Sequence, residues 1–367
     1  MSSCNPPRGC DGDAGPAALR GRLAPQLADF GITRVADLTD LDVLGIPVFA
    51  AIRPLSRNLA VSQGKGVDVD AAWVGAVAEA LELRAAESVP GVDPHGSDAA
   101  TGERWRPSVG GETPRSQGWV AAREWRSDAP VQLPRELVDL DLTRTPADPR
   151  WRRTSNAMAA HPQRSAAVRH ALLEAVERHA LASAPARRRE IRRLTGGRPT
   201  RPELAFLLQR LADRGLEPRV WRLPAVAGIE VVKARLPAAQ PLAPPVVGAA
   251  ASLDVECAAS RALLECVQSR VTRLAGARDD LTAADYAPDA DRAFAAVRAA
   301  VEPVADWPRP VPRRSRDQVA EIVDRLDAAG FSRIFVVDLP MAASPVPVVK
   351  VVVPGLVDCF AAERIAA

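Results

Sequence analysis

The sequence predicts a mixed α/β fold, in the broad sense that includes α+β, and three observations favour this class. Segments with the helical apolar period of about 3.6 residues occur along the chain, interspersed with short strand-like segments. The chain has 367 residues, 47% hydrophobic and 25% charged, which is typical of a folded protein with a sizeable core. No stretch approaches the roughly 18 apolar residues of a membrane span, and no signal peptide opens the chain.

Apolar spacing predicts the helices, and short apolar segments between turn residues predict the strands. The helix at 71–87 is strongly amphipathic, with no Pro and only Gly75 inside it. The strand segment 43–52 is interrupted by Gly45 and Pro47. The helices are predicted at 17–30, 71–87, 165–184, 203–214, 253–274 and 317–329. The strands are predicted at 32–37, 43–52, 131–142, 219–223, 229–234, 334–338 and 346–353.

Some regions lack these patterns. Residues 1–16 carry Ser, Cys, Pro and Gly without periodicity, so we expect a flexible tail before a single domain at 17–367. Residues 88–130 combine Pro, Gly, Ser and charged residues with three tryptophans, which predicts a partly ordered excursion within that domain. A Pro-rich segment at 303–313 precedes the last predicted helix.

Charge and composition argue against several function classes. The net charge is only +3, and no basic run is interleaved with aromatic residues, so a nucleic-acid partner is not expected. Among 48 basic residues the only lysines are Lys65, Lys233 and Lys350. Five cysteines without a CxxC pair and only four histidines disfavour disulfides, a zinc site and an imidazole-rich metal cluster. Reduced thiols indicate a cytoplasmic protein.

One short pattern recurs in three predicted helices. An acidic residue is followed three positions later by Glu or Gln in an Ala/Leu-rich frame, in the pairs Glu79/Glu82, Glu174/Glu177 and Glu265/Gln268. Such pairs share one helix face and can approach one ligand. Carboxylates on rigid helices suit hard cations such as Mg²⁺. A single pair usually means a solvated acidic face, but three copies in similar frames favour a ligand site.

Two further segments indicate phosphate. Ser62-Gln-Gly64-Lys65-Gly66 is predicted as a loop before the first motif helix, where glycines would let the backbone approach an anion and Lys65 would add a charge. It lacks the Walker A frame, and an ordinary turn is the alternative. Gly276-Ala-Arg278-Asp279-Asp280 closes the third motif helix. Arg278 could hold phosphate there, or the segment could be a helix cap with a surface ion pair.

These motifs occur in an order that resembles the YcaO family. The resemblance runs from about residue 31 to about 280, and more faintly to Pro354-Gly355-Leu356. Each matching segment is short, but their order and spacing are together specific. The segments are Gly31-Ile-Thr-Arg-Val-Ala36, Gly45-Ile-Pro-Val48 with Arg53-Pro54, Ser62-Gln-Gly-Lys-Gly66, Glu79-Ala-Leu-Glu82, Thr154-Ser-Asn156, Glu174-Ala-Val-Glu177-Arg178, Glu265-Cys-Val-Gln268-Ser-Arg270 and Gly276-Ala-Arg278-Asp279-Asp280.

The resemblance implies a YcaO-like fold, with internally related helix-bearing units around a nucleotide site that has no P-loop. YcaO enzymes bind ATP with Mg²⁺ and activate a backbone amide of a ribosomally made precursor peptide by phosphorylating its oxygen, which becomes a good leaving group. Carried over by position, the resemblance implies Mg²⁺ ligands at Glu79, Glu82, Glu174 and Glu177. It implies nucleotide contacts at Lys65, Ser155, Arg178, Gln268 and Arg278, and it assigns no catalytic side chain.

The chain also departs from the family pattern. Between Ser155 and Glu174 many members carry an asparagine and an acidic residue near the phosphates, where this chain reads Ala159-Ala-His161-Pro162-Gln163-Arg164-Ser165-Ala166. His179 follows Arg178 where an aspartate is usual. The resemblance is therefore to a divergent member, in which one metal site is altered or catalysis uses fewer ligands.

The resemblance implies a stand-alone enzyme similar to those of bottromycin-type pathways, without a fused leader-peptide-binding domain. The expected reaction is cyclodehydration of a precursor peptide to a macrocyclic amidine or an azoline such as a thiazoline. One alternative is thioamide formation with a sulfur-delivery partner. The other is a non-catalytic nucleotide-binding scaffold that regulates a partner enzyme. A separate partner protein and an oligomeric state stay open, and a membrane is not an expected partner.

Overall fold

The computed structural model describes residues 15–91, 102–106, 114–195, 199–238, 245–286, 303–304, 317–339, 341 and 344–356. Its contacts divide the chain into two compact units. Unit 1 consists of Met1–Pro54, Ala60–Ala80 and Ala180–Arg313. Unit 2 consists of Leu55–Leu59, Leu81–His179 and Arg314–Ala367.

The described residues of unit 1 form two sheets. The first is antiparallel, in the order β1-β2-β3, with β1 Arg34–Asp37, β2 Val48–Ile52 and β3 Val61–Lys65. The second has the order β11-β10-β9-β8-β12, and all its neighbours are antiparallel except β8 and β12. Its strands are β8 Arg192–Leu194, β9 Arg219–Arg222, β10 Glu230–Leu236, β11 Val246–Ser252 and β12 Pro303–Val304.

Among the described residues, three helices belong wholly to unit 1: α1 Pro16–Leu23, α4 Pro202–Ala212 and α5 Val255–Ala275. Asp254 caps the start of α5 by accepting a hydrogen bond from the Cys257 N–H, at 3.0 Å between N and Oδ1. Helices α4 and α5 pack on the second sheet, and their small and branched side chains form one buried core. That core holds α5 firmly, so the motif residues it carries have fixed positions.

Unit 2 is built on one sheet of six strands in the order β4-β6-β5-β13-β14-β7, which places β7 at an edge. Only β4 and β6 are parallel neighbours. The strands are β4 Glu103–Arg104, β5 Trp119–Glu124, β6 Pro130–Pro134, β7 Met158–Ala160, β13 Phe335–Leu339 and β14 Val348–Val352. Helix α6 Gln318–Ala328 belongs to this unit, and α2 Val69–Ala86 and α3 Arg164–Ser183 contribute residues to both units.

The mixed α/β class is confirmed, and five predicted helices are found within two residues of their predicted ends. The first predicted helix was too long: α1 ends at Leu23 and a 3₁₀ turn at Ala24–Gln26 follows, since Pro25 cannot donate the hydrogen bond that continues an α-helix. The predicted strand 131–142 ends at Pro134, followed by a 3₁₀ turn at Arg135–Leu137. None of the helices in the described part of the chain is long and apolar enough to cross a membrane.

The prediction of a loop at Ser62–Gly66 is wrong, because β3 runs through Val61–Lys65. The sequence also gave no strand at 119–124, 158–160, 192–194 or 246–252. Within the predicted excursion 88–130, residues 102–106 and 114–130 contribute β4 and β5 to the sheet. Residues 1–14 and most of 303–313 lie outside the described residues, and the single domain stays a prediction.

Candidate functional site

Each motif helix follows a strand whose backbone it binds through the first glutamate of the motif. We name these the first, second and third strand–helix pairs: β3–α2, β7–α3 and β11–α5. In each, a backbone N–H at or beside the strand donates to the glutamate carboxylate 16 or 17 residues later. The hydrogen bonds are Gln63 N to Glu79 Oε2 at 2.5 Å, Ala157 N to Glu174 Oε2 at 3.1 Å and Ala249 N to Glu265 Oε2 at 2.7 Å.

All three strands lie at the edge of their sheets. An edge strand has N–H groups without a neighbouring strand, and a buried N–H without an acceptor is costly. The glutamate supplies that acceptor, so the repeated pattern has a structural cause in addition to any role in binding. The sequence pattern showed the repetition but not this cause.

In two of the strand–helix pairs, a glycine on the strand lets the helix backbone pack directly against the strand. A Cβ placed on Gly64 would lie 2.1 Å from the backbone O of Ala72 and N of Ala76 on α2. A Cβ placed on Gly248 would lie 2.3 Å from the backbone O of Ala262 on α5. Gly64 was interpreted as letting the backbone approach an anion, and the structure shows instead that it lets a helix approach the strand.

Four sequence-predicted site residues belong to unit 1. Lys65 is the last residue of β3 and is half-buried. Glu79 binds the edge of β3 as described above. Gln268 is on α5, and its Oε1 atom is buried with no hydrogen-bond donor among the described residues. Thr272, one turn later, places its hydroxyl within hydrogen-bonding distance of both Gln63 Oε1 and Gln268 O, which ties α5 to β3.

Arg278 follows the C-terminus of α5 in unit 1, which ends at Gly276 with a φ of 58°. Its guanidinium donates two hydrogen bonds to Asp280, at 2.8 Å and 2.5 Å. The bond to Asp280 raises the pKa of Arg278, burial opposes this, and Glu79 adds a smaller favourable charge. The segment therefore caps α5 and carries an ion pair, and phosphate binding by Arg278 stays a prediction.

Unit 2 contains the other five predicted site residues. Three of them, Glu174, Glu177 and Arg178, form a cluster of charged side chains on α3. The Arg178 guanidinium lies 3.3 Å from Glu174 Oε1 and 3.5 Å from Glu177 Oε1. Glu177 is 8% exposed. Burial raises the pKa of Glu174, and the charges of Arg178 and Lys350 oppose that rise. Two carboxylates and a guanidinium therefore lie together on α3, and the spacing had predicted that the two carboxylates share one face.

Glu82 and Ser155 are the remaining predicted residues of unit 2. Glu82 Oε1 accepts a hydrogen bond from the Ala160 N–H of edge strand β7, at 2.7 Å. Glu82 and Glu174 thus bind the backbone of the same short segment. Ser155 is exposed in the turn before β7, and its carbonyl accepts the Met158 N–H at 3.2 Å.

The donor set fits Mg²⁺ with a nucleotide better than Mg²⁺ alone. Among the residues that the structure describes, no three His, Cys, Asp or Glu side chains form a group that could hold a metal ion. Mg²⁺ is usually bound by one or two carboxylates and completes its octahedron with water and phosphate oxygens. In unit 2, Glu174 and Glu177 beside the Arg178 guanidinium match that requirement.

Two further residues share these environments and were not predicted as site residues. Glu265 occupies the position of Glu79 and Glu174 in the third pair. The repeated motif was the sequence feature that could have identified Glu265. Lys350 on β14 is buried near Glu174. Its only signal in the sequence was the rarity of lysine.

A cavity of about 420 Å³ in unit 1 lies apart from all of these residues. It is lined by Ala212, Gly215, Glu217, Arg219, Arg235 and Pro237. None of the predicted site residues lines it.

Comparisons with known proteins agree with this description. Residues 63–357 match the family described as YcaO cyclodehydratase, ATP- and Mg²⁺-binding. A protein encoded in the tfuA 3′ region of Rhizobium leguminosarum bv. trifolii is 34% identical over 93% of this chain and 87% of its own length. YcaO from Methanopyrus kandleri, solved with AMPPCP and Mg²⁺, has a TM-score of 0.77 at 25% identity, covering 95% of this chain and 93% of that one.

A heterocyclase solved with substrate and cofactor is similar in fold. It has a TM-score of 0.73 at 19% identity, covering 96% of this chain and 53% of the heterocyclase. The chain therefore spans about half the length of that enzyme.

Proposed function

The chain belongs to the YcaO family of ATP- and Mg²⁺-binding cyclodehydratases, and from this premise we propose that it activates a backbone amide of a ribosomally made precursor peptide. The activated amide then undergoes cyclodehydration, to a macrocyclic amidine or an azoline. The observation that carries the proposal is the family match over residues 63–357, which includes all three motif helices. The M. kandleri protein, bound to an ATP analogue and Mg²⁺, supports the cofactor assignment.

We propose Glu79, Glu82, Glu174 and Glu177 as the Mg²⁺ ligands. Carboxylate oxygens are the ligands that this hard cation prefers. Backbone hydrogen bonds orient Glu79, Glu82 and Glu174 before any metal arrives. Orientation by neighbouring groups is what metal ligands generally need, since a mobile carboxylate loses entropy on binding.

The proposed nucleotide contacts are Lys65, Ser155, Arg178, Gln268 and Arg278. Arg178 lies between two carboxylates and would balance the charge of phosphate oxygens held through the metal. The buried Gln268 Oε1 suits a ligand that donates a hydrogen bond, such as the amine or a hydroxyl of a nucleotide. Arg278 would have to exchange its bonds to Asp280 for phosphate.

ATP, when bound, would supply the phosphoryl group that makes the amide oxygen a leaving group, and Mg²⁺ would neutralise the charge of the phosphates. The protein's own side chains would orient the Mg²⁺ and the nucleotide and balance the charge of the phosphates. Glu174 must be ionised to bind a cation, and Arg178 and Lys350 favour that form against the effect of burial. Cys257 and Cys266 are buried free thiols, which suits the cytoplasmic location proposed for this reaction.

Mass spectrometry of a candidate precursor peptide tests the proposal. The peptide encoded beside this gene is incubated with the protein, ATP and Mg²⁺. Loss of one water supports cyclodehydration. Exchange of one oxygen for sulfur indicates thioamide formation instead, and an unchanged peptide with bound nucleotide indicates a scaffold. Either of the last two results contradicts the proposal.

Glu174→Gln, which keeps the acceptor for the Ala157 N–H, is expected to lower turnover by about 100-fold or more. The matched control is Glu256→Gln on α5. Glu256 is 1% exposed and binds the backbone of Thr200 and Arg201, with no proposed ligand role. The control should keep its activity. Equal losses in both variants would remove Glu174 from the proposed metal ligands.

Thioamide formation with a sulfur-delivery partner is the second candidate. The Rhizobium relative is named for a position next to another gene, tfuA, which is compatible with a partner. Repeating the peptide assay with a sulfur source and the product of this chain's own neighbouring gene separates the candidates. Turnover only in that mixture, with sulfur gained, would favour the thioamide.

A further inference from the structure

Lys350 is a charged residue in the interior of the unit 2 sheet. It lies in the middle of β14, opposite Met158 of the edge strand β7, and is 4% exposed. Its ammonium donates to Thr154 O at 2.8 Å and to Asn156 O at 2.6 Å. A buried ammonium is costly unless it is hydrogen-bonded, so these two carbonyls are held where the ammonium needs them.

The turn that Lys350 binds has an uncommon backbone conformation. Ala157 has a φ of 58°, in the left-handed region that residues with a Cβ rarely adopt. Its carbonyl accepts the Val351 N–H at 2.9 Å, and its own N–H donates to Glu174. Such a residue keeps its conformation only where several neighbouring groups hold it in place. Here β14 and Glu174 bind the backbone of Ala157 itself, and the Lys350 ammonium binds the carbonyl of the preceding residue.

Lys350 is also placed to act on the α3 cluster without belonging to it. Its charge acts on Glu174, as that of Arg178 does, and Glu177 is the second acid there. A lysine has a flexible stem and three donors, so one ammonium can bind two main-chain carbonyls and still act on a nearby carboxylate. Lys350 therefore connects the turn that carries Ser155 with the face of α3 that carries the acids.

We propose that Lys350 is a positioning residue for the metal–nucleotide complex. It holds the 154–157 turn and the Glu174 carboxylate in one arrangement, so that Mg²⁺ and nucleotide bind without first ordering the turn. Lys350 itself contacts neither. The inference rests on the proposed function, since it assumes that Glu174 and Ser155 belong to the nucleotide site.

The test compares Lys350→Met, which keeps the length of the side chain but has no donor, with Lys350→Arg, which restores charge and donors. Titration calorimetry measures the affinity for a non-hydrolysable ATP analogue with saturating Mg²⁺. Hydrogen exchange of the peptide 154–160 is measured in the absence of nucleotide. Val349→Ala is the matched control, since Val349 is the fully buried neighbour on the same strand and does not bind the turn.

We expect Lys350→Met to weaken analogue binding by about 10- to 100-fold, the range found when residues supporting metal ligands are removed. Exchange at 154–160 should become faster, and Lys350→Arg should restore most of the affinity. Val349→Ala should lower the melting temperature and leave the affinity unchanged. Should the Met variant not fold, Lys350→Leu, which also lacks donors and charge, replaces it with the same expectations.

Three results would overturn the inference. They are analogue binding within twofold of the parent in Lys350→Met, an equal loss of affinity in Val349→Ala, and a failure of Lys350→Arg to restore binding. The failure of the proposed function has a different signature, because the parent protein would then not bind the analogue at all. Slow exchange at 154–160 in both the parent and Lys350→Met would in that case overturn the positioning role independently.

Discussion

The second and third strand–helix pairs have the same framework. In each, the first glutamate of the motif, Glu174 or Glu265, binds a backbone N–H at the strand edge. In each, a buried lysine occupies the strand beside the edge strand, Lys350 in β14 and Lys233 in β10. These shared features have a structural role in both pairs, because each glutamate supplies an acceptor for an N–H group of its strand segment.

The two pairs differ three residues further along the helix. The second pair continues with Glu177 and Arg178, and the Arg178 guanidinium forms ion pairs with both Glu177 and Glu174. The third pair continues with Gln268, an uncharged residue with a buried acceptor. The first residue of each motif therefore has the same structural role in both pairs, and the residue three positions later is where the two pairs differ in charge.

The largest expected effect concerns the close packing of the third pair. A side chain at Gly248 would meet the backbone of Ala262 and Cys266, which cannot move without displacing α5. Gly248→Val should therefore lower the free energy of unfolding by about 3 kcal/mol or more. Chemical denaturation measures it. Gly21→Ala in α1, where a Cβ meets nothing within 4 Å, is the control and should stabilise by about 0.5–1 kcal/mol. Similar losses in both would show that the third pair is not tightly packed.

The next prediction separates a glutamate that is assigned only a structural role, Glu265, from one proposed to bind Mg²⁺, Glu177. Glu177→Gln should lower the affinity for Mg²⁺ with an ATP analogue by about 10- to 100-fold. Glu265→Gln keeps an acceptor for the Ala249 N–H and should leave that affinity nearly unchanged. Calorimetric titration of both variants against the parent measures the difference. A larger loss in Glu265→Gln than in Glu177→Gln would reverse the assignment of roles.

A pH dependence should distinguish the second pair. Burial raises the pKa of Glu174 above its ordinary value of 4.5, so lowering the pH protonates it earlier than an exposed glutamate. Because a protonated carboxyl does not bind Mg²⁺, analogue affinity should fall with decreasing pH, by at most about tenfold per pH unit from this group. Glu174→Gln should flatten that dependence, and Glu265→Gln should keep it. An unchanged slope in Glu174→Gln would contradict the prediction.

The same raised pKa acts on stability with the opposite sign. The folded state binds the Glu174 proton more tightly than the unfolded state, so this group's contribution to the free energy of unfolding rises as the pH falls towards 4.5. Denaturation of the parent and Glu174→Gln across that range would show it.

The smallest effect concerns two residues with the same φ of 58°, Ala157 before β7 and Gly276 after α5. Glycine adopts this conformation freely, whereas a Cβ makes it unfavourable. Gly276→Ala should destabilise by about 1 kcal/mol. Ala157→Gly should change stability by less than about 1 kcal/mol, since relief of strain is offset by the greater freedom of glycine in the unfolded chain. Denaturation midpoints measure both, and a large loss in Ala157→Gly would show that the methyl group packs usefully.

The helices could be predicted from sequence because their apolar spacing reflects burial on one face. The missed strands lack that kind of signal. The Gly- and Ala-rich strand β11 is selected by the approach of α5, a long-range contact that no local pattern contains. Strand β7 has only three residues, and its pairing with β14 joins segments nearly 200 residues apart.

Prediction of the candidate site from the sequence was limited in the same way, by contacts between distant residues. The i, i+3 spacing predicted that Glu174 and Glu177 share a face, because a helix determines that geometry locally. The sequence left Arg278 open between phosphate and an ion pair, and it could not predict that Lys350 would reach Thr154, because side-chain choice among partners depends on the folded surroundings.

The glutamates at the strand edges also limit how another polypeptide chain can pair with these sheets. An extended segment joins a sheet by pairing with outward N–H groups, and at Ala160 and Ala249 those groups are already bound by Glu82 and Glu265. Another molecule could align there only by displacing a carboxylate. Self-association, and capture of a peptide, should therefore use side-chain surfaces and not the backbone at these edges.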